Sequence, residues 1–177
     1  MARSMAEQIP KLERTLGIDP GFFDKLQDED DWSMIIKLHA LIESAVSELL
    51  TRQFKSIALK ETFSKLELSN KRTGKMAFVA ALELVGDAER RYISALSELR
   101  NKLVHNIHNV GYDLGAEVKK MDKQQFNQFM KNFNTLSTDE DDVVTDLFRG
   151  DPIQALWYGA MTVLAMIYIK QEESGQA

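Results

Sequence analysis

The sequence predicts an all-α fold: a single-domain helical bundle with long antiparallel helices. Three observations carry that expectation. Apolar residues recur three and four positions apart along most of the chain. Alternating β-branched runs and Asn-Gly turns are missing, so strand and hairpin signals are weak. The chain's 177 residues, 44% hydrophobic and 28% charged, are enough for one sizeable core and ordinary for a soluble globular domain.

The elements follow in order. Residues 1–31 read as an N-terminal helical extension, with a helix around Ala6–Leu16 that stops at "GIDPGF", where Gly17, Pro20 and Gly21 break it. The bundle proper spans 32–170. Asp31 is the expected N-cap of a long helix from Trp32 to about Phe54, whose core stripe is Ile35, Leu38, Ile42, Val46 and Leu49. A short helix covers Lys60–Leu66. Another starts at Ser69 or Asn70 and runs through Met76, Val79, Ala80 and Leu84 to a stop at Gly86. Asp87 then caps a helix expected to reach Val110, with Gly111 just past its end. The segment Lys123–Phe133 places Phe126, Phe129, Met130 and Phe133 on one side, and a short helix covers Asp139–Phe148. Asp151 and Pro152 suit the N-cap and first position of a last helix.

That last helix, "IQALWYGAMTVLAMIYI", is apolar almost all round for 17 residues. A bilayer span usually needs about 20, so a central bundle helix or one buried at a dimer interface is expected, with no membrane partner. Trp157, Tyr158, Met161 and Met166 then belong to packing rather than to a ligand box. The tail, 171–177, is expected to be disordered.

Composition narrows the chemistry. Cysteine is absent, which excludes disulfides and thiolate metal sites. The first residues carry no apolar run of signal-peptide length, so a cytoplasmic location is expected. No P-loop, Gly-rich dinucleotide turn or HExxH occurs, and no cofactor or metal is expected. His105 and His108 as a metal pair would lack local carboxylates, and His39 stands alone on a helix flank. The formal charge is −5, yet between Arg52 and Lys75 seven basic residues face two acids. That segment is either a basic surface for a polyanion or a solvated face.

One anomaly stands out. Ile93, Leu96, Leu103, Ile107 and Val110 make a three-four seam with a single slot missing, and Arg100 fills it. A guanidinium in an apolar seam is costly unless it is paired or partly wet. His105 lies about 140° around an ideal helix from Arg100, whereas Asn101, His105 and His108 share a stripe. Joint action of Arg100 and His105 needs either an arginine curled round the helix or a second copy across a two-fold axis. Arginine suits phosphate, histidine can transfer protons near neutrality, and asparagine can orient either. Such a set fits metal-free cleavage of RNA. The competing structural reading makes Arg100 a seam residue paired with a neighbouring carboxylate, and His105 and His108 surface residues at a helix end.

The stretch "ELRNKLVHN" resembles the signature of the HEPN superfamily: arginine, a polar follower, then histidine after four to six residues. "LIESAVSELLTRQF" looks like that family's first long helix. "LSNKRTGKMAFVAALELVGDAERRYISALSELRNKLVH" resembles the run in mannitol operon repressor-like and toxin-type members. The likeness covers roughly Trp32 to Gly115. It implies a homodimer with two motifs facing each other, and metal-independent endoribonuclease activity in a toxin or phage-defence role, often restrained by an antitoxin or other partner protein. By position it makes Arg100 and His105 the catalytic pair, with Asn101 supporting and Glu43 a candidate partner for Arg100. Lys71, Arg72, Lys75, Lys102 and His108 are the candidate RNA contacts. Other members keep the fold as inactive regulators or interaction modules.

Overall fold

A computed structural model describes residues 5–105, 107–135 and 142–176. Among them it contains ten α-helices and no strand. In order they are α1 (Met5–Leu16), α2 (Phe22–Gln27), α3 (Asp31–Gln53), α4 (Lys60–Lys65), α5 (Lys75–Ala81), α6 (Asp87–Val104), α7 (Leu114–Lys119), α8 (Lys123–Phe133), α9 (Asp142–Gly150) and α10 (Pro152–Gln176). Short 3₁₀ turns cover Ile57–Leu59 and Ile107–Gly111. The all-α bundle expected from periodicity is what forms.

The frame is α3 packed along α10, with α6 on α3 and α8 on α6. The whole α3 stripe, Ile35, Leu38, Ile42, Val46 and Leu49, is fully buried. It meets Ala155, Leu156, Ala160, Val163, Leu164 and Ile167 of α10 in one continuous core. By length and composition α10 is apolar enough to cross a bilayer, but here its apolar residues are mostly buried in the protein, as in a central bundle helix. Where α10 crosses α6, the Tyr92 ring of α6 and the last residue of α8 press against Gly159. A Cβ built on Gly159 would lie 2.5 Å from the Tyr92 ring and 3.1 Å from the Phe133 carbonyl oxygen. The Tyr92 hydroxyl, wholly buried, donates to the Leu156 carbonyl at 2.6 Å.

Several boundaries differ from the sequence expectation, each for a visible reason. The N-cap of α3 is Asp30, whose carboxylate accepts from the Ser33 amide at 2.9 Å. Asp31 instead accepts from the Leu114 amide at 2.7 Å, tying the start of α3 to the start of α7. Residues 70–74 form a turn, not helix, because the Asn70 side chain accepts from the amides of Arg72 and Thr73. Gly86, not Asp87, is the N-cap of α6. The tail expected to be disordered continues α10 as helix to Gln176. Gln171 is buried there and donates to the Ala45 carbonyl at 2.9 Å, while Arg52 pairs with Glu172. The N-terminal extension belongs to the same core: Leu12, Phe23 and Leu26 are buried in it. Buried Glu13 accepts from the amides of Gly21 and Phe23, both at 3.0 Å, at the start of α2. The start of the expected Asp139–Phe148 helix lies outside the described residues, and the helix observed is α9.

The most consequential difference concerns α6. It was expected to reach Val110, but it ends at Val104 with His105 as its C-cap. Asn109 causes the stop: its side-chain amide folds back and donates to the Lys102 carbonyl at 2.8 Å. Val110 is consequently 55% exposed rather than part of a seam. Replacing Asn109 by alanine should free that carbonyl and fray the end of α6. The expected loss is about 1 kcal/mol in chemical unfolding, with faster amide exchange confined to residues 101–112.

Candidate functional site

The C-terminal half of α6 holds the motif residues. Arg100 occupies the seam slot and is half-buried. Its guanidinium donates to the Asn101 side-chain oxygen at 3.1 Å and, among the described residues, makes no ion pair. His105 is exposed at the end of the helix. Since α6 stays helical to Val104, the roughly 140° between the two positions persists. Asn101 and His105 share the outer face, and Arg100 faces the α3 side. The Arg100 guanidinium nevertheless bends toward Asn101, on the face that carries His105. Val104, also exposed, lies between them on the helix surface.

On the α3 side, within electrostatic range of Arg100, lies a buried polar cluster of which the linear pattern holds little sign. Glu43 does not pair with Arg100. Its carboxylate accepts from the Lys75 ammonium at 2.7 Å, and Lys75 is fully buried. That corrects two expectations. Lys75 cannot offer its charge to RNA, and the carboxylate expected to serve Arg100 is taken by another cation.

The second Glu43 oxygen lies 3.9 Å from Nδ1 of His39. The other His39 nitrogen, Nε2, is 3.1 Å from the Ser97 hydroxyl. Ser97 uses its own hydrogen on the Ile93 carbonyl at 2.9 Å, so His39 Nε2–H is the donor in their contact. Burial holds the His39 imidazole below the usual histidine range; Glu43 opposes that, and the charges of Arg100 and Lys75 reinforce it. His39 is thus a neutral core histidine that links α3 to α6.

A pH dependence follows. The unfolded chain takes up a proton on His39 near pH 6.5, before the folded chain does. The contribution of neutral His39 is fully present above about pH 6.5 and is lost as pH falls toward its lower folded value. Urea unfolding from pH 7.5 to 5 should show stability declining below about pH 6.5, and His39→Gln should flatten that decline. An unchanged slope in the variant would assign the decline to other groups.

The expected RNA contacts divide. Lys71 and Arg72 are exposed and unpaired among the described residues, whereas Lys102 lies 3.7 Å from Glu117. His108 is exposed on the turn after α6. In the basic segment 52–75, Arg52, Lys60, Lys65 and Lys75 all have acidic partners, so most of its positive charge is balanced locally. The described residues contain no cluster of three or more His, Asp or Glu able to hold a metal.

The sequence reading missed Ser97 and Asn109, and it treated His39 as solitary. The only linear signal for the cluster was a polar residue on a core face, Ser97 one helical turn before Arg100. Comparison with protein-family models, curated proteins and solved structures gives no match for this chain.

Proposed function

We propose that the protein is a metal-independent endoribonuclease of the HEPN type, acting as a homodimer in a toxin or defence role. The observation that carries this reading is the half-buried Arg100, which makes no ion pair among the described residues while Glu43 pairs with Lys75. A guanidinium kept off its neighbouring carboxylate is available for a phosphodiester. In this reading Arg100 stabilises charge on the phosphorane-like transition state, and His105 moves the proton of the 2′-hydroxyl or of the leaving oxygen. Asn101 orients Arg100 through their hydrogen bond. A second copy supplies the facing motif across a two-fold axis. A partner protein restraining the activity fits the same picture.

The test is cleavage of RNA by purified protein in EDTA. The expected products end in 2′,3′-cyclic phosphate, and Arg100→Ala or His105→Ala should each lower the rate by at least about a hundredfold. The dimer and the unfolding midpoint should stay unchanged. The roughly 140° between the two positions around α6 also favours a second reading, a catalytically silent regulator or interaction module. Equal behaviour of wild type and His105→Ala on RNA and in cell growth would establish that second reading.

A further inference from the structure

A groove of about 430 Å³ lies between α5, α6 and α8, away from Arg100. Its polar lining includes Lys71, Arg90, Arg91, Ser94 and Asn132. Two of its cations are uncommitted: Lys71 and Arg91 make no ion pair among the described residues, and Arg91 has only a long 3.5 Å contact to the Lys131 carbonyl. The acids in the lining are Asp87, which is paired with Arg90, and Glu98.

The groove is continuous with the motif. Arg91, Ser94, Glu98, Asn101 and His105 follow one another at intervals of three, four, three and four, so they form a single stripe on the outer face of α6. None of the five is buried, whereas Tyr92, Ile93, Leu96 and Ser97 between them are. Fourteen residues of helix span about 21 Å. At about 3.4 Å per stacked nucleotide of one strand, that is room for about six nucleotides.

We propose that this groove binds the phosphate backbone of a single RNA strand, and that the strand runs along the outer face of α6 to reach His105. Lys71 and Arg91 hold phosphates at the far end, and Ser94 and Asn132 donate or accept beside them. Glu98, midway, faces the strand with a like charge and limits its affinity. The choice of RNA as ligand rests on the ribonuclease reading; the groove and stripe do not depend on it.

The experiment measures binding of 2′-O-methyl octauridylate, which has no 2′-hydroxyl to attack, to the wild-type full chain by fluorescence anisotropy across a salt series. Cleavage plays no part, so failure of the ribonuclease reading and failure of this proposal are separable. Each phosphate contact adds about 0.7 to the slope of log affinity against log salt, so Lys71→Ala with Arg91→Ala should lower its magnitude by about 1.4. Glu98→Gln should tighten binding several-fold, and Lys25→Ala on α2 should leave it unchanged. Adenosine monophosphate and inorganic phosphate are the comparison ligands and should bind at least about tenfold more weakly than the octamer. The proposal is overturned by absence of octamer binding, by an unchanged slope in the double variant, or by a mononucleotide that binds as tightly as the octamer.

Discussion

Glu43→Ala should destabilise the bundle by about 3–4 kcal/mol, whereas Lys75→Met should cost about 1 kcal/mol or less. The two substitutions break the same 2.7 Å ion pair, but they strand different partners. Without Lys75, Glu43 remains about one-third exposed and can be hydrated. Without Glu43, the buried Lys75 ammonium loses its ion-pair partner and either stays charged in the core or gives up its proton. Neutralising a lysine of ordinary pKa, about 10.4, at pH 7 costs about 4.6 kcal/mol, which sets the ceiling. Urea unfolding at about pH 7 of wild type, both single variants and the double variant checks this. Equal losses from the two substitutions would sink the argument.

The second large effect is at Gly159. Alanine there gains about 1 kcal/mol in helix propensity, yet it should lower stability by about 2 kcal/mol net. Its Cβ falls 2.5 Å from a Tyr92 ring that cannot retreat. The ring is fully buried, packed edge-on against Phe133 at 5.4 Å and tethered by its hydroxyl to Leu156. Gly159→Leu should be worse, and the α6–α10 crossing should then open. Combining Gly159→Ala with Tyr92→Leu should cost less than the sum of the two single changes, because removing the ring removes the clash. Additive losses would show that the close approach is not the cause.

These two sites differ in how legible they were. The α3 stripe and the aromatic side of α8 were readable because long amphipathic helices repeat their signal over several turns. The vacancy in the α6 seam was readable for the same reason: Arg100 interrupts a pattern established on both sides. Lys75 was not readable, since the partner that permits its burial lies 32 residues earlier, on another helix. Nor was the end of α6. The three-four pattern continues through Ile107 and Val110, and only a side chain folding back to the backbone stops the helix there. Helices α2 and α7 have six residues each, and their short apolar pattern did not stand out from the turns around them. The helical tail was missed because its sequence is polar and its order comes from Gln171 and Ser174 reaching residues of α3.

The pairing of α3 with α10 also sets when this protein can fold during synthesis. About a hundred residues separate the end of α3 from the start of α10. Until α10 leaves the ribosome, the apolar stripe of α3 has no main partner, and α6 leans on an incomplete support. Loop closure over that length precedes most of the stabilising burial, so the core stays open while the segment between α3 and α10 is made. The last turns of α10 reach Ala45, Arg52 and Gln53, so the bundle closes only when the end of α10 arrives. A chain halted before then would expose a long apolar surface to chaperones and proteases, and the motif on α6 would lack its finished scaffold.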